Sequence, residues 1–280
     1  MSVEEILHRQ AGVITRGQAR AAGLSTGAIE DRLRRRRWRP LHPQVYLAAG
    51  CPRSGEVAVR AAVLWAGADA VLGGAAAAWW HGLLADPPRT VGVIVPARRL
   101  RPAPPGIRVR CRRLAVADRA EERGLRVAAP ALAVLEAAVE LGPEGAPLLD
   151  RALQRGLRFA DVCAAHRRAL GSPGSAAAGR LLAAAAERST VAAGRLLRQR
   201  LREAGVTGWY AATACGVTFP AARLVVEVTG WAGPPGAVAG RRPGWAVQQV
   251  DWTDLAGAPG TVPAGLRSAA PASPSGSNGQ

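Results

Sequence analysis

A chain of 280 residues with 49% apolar content is long enough for two or three domains and apolar enough to build their cores, which excludes an intrinsically disordered protein. Its formal net charge of +17 and pI of about 11.6 point first to a polyanion, nucleic acid by default, because each neutralised phosphate releases condensed counterions. All 37 basic residues are arginine; GC-rich coding explains arginine in place of lysine, but not the excess over 20 acidic residues.

The amino terminus carries Glu4, Glu5 and Arg9 and lacks the apolar stretch of a signal peptide. The most apolar region, residues 61–84, is interrupted by Asp69 and by Gly67, Gly73 and Gly74, so its uncharged runs fall short of the ~18 residues of a membrane span. A cytoplasmic protein with no membrane partner is expected. Cys51, Cys111, Cys163 and Cys215 lie far apart, as do His8, His42, His81 and His166, so the expectation is reduced thiols, no metal site and no cofactor.

Residues 1–47 are the most legible part of the chain. Ser2 with Glu5, and Thr15 with Gln18, have the spacing of capping boxes, so a helix is predicted to begin at each. Gly23 supplies a turn, and Leu24-Ser25-Thr26 starts a third helix. On it Ile29 and Leu33 face inward, while Gly27, Asp31, Arg34 and Arg35 lie on the opposite side. Then come Arg36-Arg37-Trp38-Arg39, Pro40-Leu41, a turn at His42-Pro43-Gln44, and Val45-Tyr46-Leu47, a pattern that fits a two-stranded wing. This is the grammar of a winged helix-turn-helix, with the outward helix face and the arginine run meeting DNA. Asp31 opposes phosphate unless Arg34 or Arg35 pairs with it.

Residues 56–68 and 75–81 read as apolar helices, with Trp79 and Trp80 in a core rather than on a base-stacking surface. Residues 91–95 read as a buried strand, followed by a basic loop with Arg98, Arg99 and Arg101. Ile107, Val109 and Cys111 then alternate with Arg108, Arg110 and Arg112, which puts three arginines on one strand face. Residues 98–113 hold seven arginines and no acid, read as one hairpin. Two readings stand side by side: a second DNA-binding patch, or an edge strand charged against edge-to-edge pairing. Helices are predicted at 130–141, 145–156 and 159–170. Residues 171–175 form a flexible break before a long helical pattern through Leu181, Leu182, Leu196, Leu197 and Leu201. Residues 225–228 and 247–250 read as strands, and beyond Gly257 the Ala, Pro, Ser and Gly composition predicts disorder.

The segment Gly12-Val13-Ile14-Thr15-Arg16-Gly17-Gln18-Ala19, with Arg37-Trp38-Arg39-Pro40-Leu41-His42 and Val45-Tyr46, resembles the winged helix-turn-helix of the AbiEi-type antitoxins of type IV toxin–antitoxin systems. The resemblance continues more weakly through His81-Gly82-Leu83 and Arg108-Val109-Arg110, over roughly residues 1–170. Gln44 stands where that family commonly has glycine. The resemblance implies DNA binding, transcriptional repression and a cognate toxin protein as a second partner.

Phe219-Pro220-Ala221-Ala222-Arg223-Leu224-Val225-Val226-Glu227-Val228-Thr229-Gly230, with Asp251-Trp252-Thr253-Asp254-Leu255, is similar to an uncharacterised family related to very-short-patch-repair endonucleases, with a restriction-endonuclease-like core. Such enzymes hold Mg²⁺ between an Asp and a Glu on adjacent strands. Here Gly216 occupies the aspartate position and Thr229 the charged position after Glu227. Residues 189–195, taken as a helix start where the family has a glutamate, offer no carboxylate, and the stretch between Trp231 and Trp245 is shortened. The resemblance leaves Glu227 as a catalytic relic.

The expectation is an α+β multidomain protein: a winged helix-turn-helix (residues 1–50), a central α/β domain (51–170), a flexible linker and helix start (171–185), a degenerate restriction-endonuclease-like α/β domain (186–257) and a disordered tail (258–280). The expected function is that of a DNA-binding antitoxin or transcriptional regulator. The expected contacts to double-stranded DNA are Arg16, Gln18, Ser25, Thr26, Arg34, Arg35, Arg36, Arg37, Arg39, Arg108, Arg110 and Arg112. The alternative is a metal-dependent DNA endonuclease using Mg²⁺ at Glu227.

Overall fold

A computed structural model describes residues 1–96, 102–231, 243–251 and 255. Arg98, Arg99 and Arg101, residues 232–242 of the shortened stretch, Trp252, Thr253, Asp254 and the tail 258–280 lie outside the described residues. The chain is mixed α/β with several sheets, divided into two compact units, residues 1–157 with 161–179, and residues 158–160 with 180–280. No helix among the described residues is long and apolar enough to cross a membrane.

The first unit begins with α1 (Val3–Arg9), β1 (Val13–Thr15), α2 (Arg16–Ala21) and α3 (Thr26–Arg34). Both capping boxes form: Ser2 accepts from Glu5 N while Glu5 accepts from Ser2 N, and Thr15 and Gln18 do the same. Two otherwise unpaired N–H groups are thereby satisfied at each helix start. Gly23 takes φ +91°, a left-handed conformation that ends α2 and lets Ser25 cap α3 through Ala28 N at 3.1 Å. Strands β2 (Trp38–His42) and β3 (Val45–Ala48) pair antiparallel, and β1 pairs antiparallel with β3 on its other side. Gln44 in the tip between β2 and β3 has φ +65°, the conformation glycine adopts without cost, so its departure from the resembled pattern falls on a backbone position that favours glycine.

Val13, Val45 and Leu47 pack with Val57 and Ala61 of α4 (Gly55–Ala66) in one buried cluster. The boundary expected at residue 50 therefore runs beside a shared core, and residues 1–50 fall in one compact unit with residues 51–157. Next come β4 (Val71–Gly73), α5 (Gly74–Trp80), β5 (Val91–Val95), β6 (Ile107–Cys111), β7 (Arg119–Glu122) and β8 (Leu125–Ala128). The five strands lie in the order β6-β5-β4-β8-β7. Strands β5 and β6 are parallel, which corrects the hairpin expected over residues 98–113: a hairpin joins antiparallel strands. Helices α6 (Pro130–Glu140), α7 (Gly145–Gln154) and α8 (Phe159–Arg168) follow, each within a few residues of its predicted span.

Trp80 is 1% exposed, with the guanidinium groups of Arg60 and Arg123 5.4 and 3.8 Å from its ring centroid and its Nε1 donating to Glu122 O at 3.1 Å. That places it in the core, as its sequence context suggested.

Helix α9 (Ser175–Glu203) starts immediately after residues 171–174, so of the expected linker and helix start, residues 175–185 are helical. Residues 189–195 are consequently mid-helix, which corrects the helix start placed there. In the second unit Ala193, Leu197 and Leu201 of α9 pack on Val217, Phe219, Val226, Val228 and Val250. These come from a four-stranded sheet built from β9 (Tyr210–Thr213), β10 (Gly216–Phe219), β11 (Leu224–Thr229) and β12 (Ala246–Asp251), in the order β12-β11-β10-β9.

Candidate nucleic-acid interface

Residues 26–39 carry six arginines against Glu30 and Asp31, a net +4 in one helix and the start of a strand. Burial of Ile29 and half-burial of Leu33 fix which side of α3 faces the core. Trp38 stacks on Tyr46 with centroids 5.9 Å apart, and the Arg32 guanidinium lies 5.5 Å from the Trp38 ring. This packing anchors the first residue of β2 against the helix and leaves Arg34, Arg35, Arg36, Arg37 and Arg39 exposed between the end of α3 and the start of β2. Arg36 takes φ +54°, and the chain turns there.

Asp31 Oδ1 accepts hydrogen bonds from Arg34 Nη2 and, at 2.9 Å, from Arg35 Nε. Arg36 and Arg37 have no side-chain partner among the described residues, and Arg39 Nη2 donates to Cys51 O at 3.3 Å. Half-buried Arg16 reaches Glu30 at 3.3 Å; its hydrogen bond to Tyr46, then that to Glu30, raises its already high pKa. Thr26 is exposed and accepts from Arg20 Nη1 at 2.7 Å. Arg20 was missed in the sequence; its signal, a cation at the end of one helix facing the start of the next, depends on the turn at Gly23.

Other expected contacts are occupied differently. Gln18 is half-buried, closes the capping box and lies 3.4 Å from Gln10 Oε1, and Ser25 Oγ caps α3 while staying at the surface. Arg108 and Arg110 share a face of β6, with Arg112 next in the same period just past its end, and β6 is the sheet edge. They do not form a free basic face. Glu136 and Glu140 of α6, one helical turn apart, meet them: Arg112 and Arg110 pair with Glu136, the latter at 3.5 Å, while Arg110 pairs with Glu140 at 2.7 Å and Arg108 at 3.9 Å. The same carboxylates accept from Gly74 N at 3.0 Å and Ala75 N at 2.9 Å, capping α5, whose own N-cap Gly73 has no side chain to do so. Burial raises the Glu136 carboxyl above its ordinary pKa, opposed by Arg112, Arg110 and the Gly74 N–H. Arg110 and Arg112 are therefore committed to an ion cluster with Glu136 and Glu140, while Arg108, 56% exposed, lies at its edge.

Glu227 lies on β11 with its Cα in register with Gly216 of β10 and Gln249 of β12. The position expected to hold aspartate is thus the direct cross-strand neighbour of Glu227, and it is glycine. A Cβ at Gly216 would sit 2.8 Å from Val226 O, too close for a side chain without backbone movement. Thr229 is buried, with Oγ1 3.5 Å from Val250 O, and pairs in register with Asp251. Mid-helical Ser189 is also buried; its Oγ donates to Ala186 O at 2.7 Å and accepts from Trp231 N at 3.0 Å. These residues do not fit a Mg²⁺ site of the two-carboxylate kind. No group of three or more His, Cys, Asp or Glu side chains placed to hold a metal occurs among the described residues.

No protein-family model matches the sequence, and no curated protein matches it. Among solved structures, the chain is similar to the Rv2827c protein from Mycobacterium tuberculosis, at 19% identity over 64% of this chain and 75% of that one, with a TM-score of 0.43.

Proposed function

We propose that this chain is a double-stranded DNA-binding protein whose first 50 residues act as a winged helix-turn-helix, in the manner of an antitoxin-like transcriptional regulator working in the cytoplasm, with a cognate toxin as a second partner. The observation that carries the reading is the row of exposed arginines from Arg34 to Arg39 between α3 and the β2–β3 ribbon. In this arrangement α3 enters the major groove, Arg35 to Arg37 neutralise phosphates and the ribbon tip touches the flanking backbone.

In the same reading the second unit is a restriction-endonuclease-like domain without activity, since Glu227 faces Gly216 instead of a carboxylate. Binding of the full chain to duplex DNA, followed by fluorescence anisotropy across a salt series, tests the proposal: affinity should fall linearly in log–log form, by about 0.9 per phosphate contacted. Absence of binding, or binding indifferent to salt, overturns it. Supercoiled plasmid incubated with Mg²⁺ or Mn²⁺ should stay intact; cleavage that disappears in Glu227→Ala establishes the endonuclease instead.

A further inference from the structure

Acidic residues on a phosphate-facing helix need a reason, because each repels the backbone of DNA. Glu30 lies at the flank of α3 and is tied to Arg16. Asp31 is different: at 100° per residue it stands at the centre of the outward side, opposite Ile29 and Leu33. One turn earlier Gly27 contributes no side chain and has open space around it. Asp31 Oδ1 is occupied by Arg34 and Arg35, whereas Oδ2 accepts no hydrogen bond among the described residues. Partial desolvation pushes the Asp31 carboxyl up, but Arg35 and Arg34 together hold it below the ordinary carboxylate range, so it is ionised at neutral pH.

Resting on the DNA-binding reading, we propose that Asp31 is the specificity-determining residue of this surface: Oδ2 accepts the N4 amino group of a cytosine in the major groove, while Arg34, held through Oδ1, presents its remaining N–H groups to O6 and N7 of a guanine. The base edges dictate the choice. Cytosine offers a lone donor to a carboxylate, thymine offers an acceptor and a methyl group, and adenine sets an N7 acceptor beside its N6 donor. Guanine alone presents the paired acceptors that a guanidinium fork matches. A duplex lacking the cytosine leaves an ionised carboxylate unpaired inside the interface, so the same residue that supplies a contact to the right sequence penalises the wrong ones. Its two arginine partners limit its repulsion of phosphate.

The test is selection of the full chain, and of Asp31→Asn, on duplexes with a randomised central segment, followed by titration of the selected duplexes. Wild type should prefer cytosine over adenine at one position by at least about fivefold, the lower end of what one good base contact supplies. Asp31→Asn should lose that preference and shift towards adenine, whose N6 and N7 an amide matches, while binding random duplexes at least as tightly as wild type. An Asp31→Asn variant that keeps the cytosine preference and merely binds everything more tightly overturns the proposal, as does a wild type that binds all duplexes alike; both leave DNA binding itself standing. Failure of wild type to bind any duplex removes the DNA-binding reading and this inference with it. Should circular dichroism show Asp31→Asn unfolded, Arg34→Lys serves: loss of preference at the guanine supports the assignment, and its retention overturns it.

Discussion

The run Arg34–Arg37 and the alternating pair Arg110 and Arg112 look alike as strings of charge, and the fold treats them oppositely. In the first, Arg34 and Arg35 remain 73% and 60% exposed although both touch Asp31, and Arg36 and Arg37 reach no side-chain partner among the described residues. In the second, Arg110 and Arg112 are 31% and 19% exposed and lie against Glu136 and Glu140. Exposed pairs such as those of Asp31 are worth little and leave the remaining N–H groups of their arginines open to a nucleic acid. The carboxylates of α6 are buried and also accept backbone N–H groups, so drawing an arginine away leaves a desolvated charge behind. Formal charge counted along a chain is not the potential at its surface; what matters is where the carboxylates fold.

Four experiments break or sharpen this contrast. The largest effect belongs to the first cluster: replacing Arg35, Arg36 and Arg37 together by Ala should lower the log–log salt slope of DNA binding by roughly 2.7, at about 0.9 per phosphate. An unchanged slope takes the cluster out of the interface. Next, Glu136→Ala strands partly buried Arg112 and Arg110 and uncaps Gly74 N, and should cost about 3–5 kcal/mol in urea unfolding while leaving the salt slope alone. A smaller loss, about 1–3 kcal/mol after discounting for solvent exposure, is expected for Arg110→Gln combined with Arg112→Gln. If that variant instead lowers the salt slope by about 2, both residues reach phosphate and the contrast collapses.

The smallest effect is a pH dependence. Burial raises the Glu136 pKa in the fold, so the folded chain holds this proton more tightly than the unfolded one. The contribution is fully present below the unfolded pKa and is lost as pH rises through the raised folded value. Relative to the non-titrating Glu136→Gln, wild type should therefore lose stability as pH climbs out of the ordinary carboxylate range towards the raised folded value, with a flat difference above that value. A difference that instead grows in favour of wild type would show that Arg112 and Arg110 outweigh burial at this carboxylate.

The amino-terminal elements were legible because their signals are local. A capping box spans four residues, a helical face repeats within four, and Gly23 and the Trp38-to-Tyr46 ribbon act within a few more; α1, α2 and α3 start where Ser2, Thr15 and Ser25 said they would. Short strands such as β7, β9 and β10 gave no such signal, because in them it is the pairing that stabilises the strand. Of the residues expected at the candidate interface, Gln18 and Ser25 were read both as helix-start residues and as contacts, and Arg20, whose guanidinium reaches Thr26, gave no signal of its own.

Composition and short-range pattern by themselves determined the sign of the charge, the helix starts, the inward face of α3 and the period-two face of β6. Tertiary structure alone decided that Glu136 and Glu140 arrive across the arginines of β6 from two dozen and more residues away, that they also cap α5 from over sixty residues away, and that Gly216 stands beside Glu227. The physical reason is the same in each case: hydrogen bonds between near neighbours depend on backbone geometry that the local residues set, whereas an ion pair or a strand register depends on burial and chain closure, which no window of sequence contains.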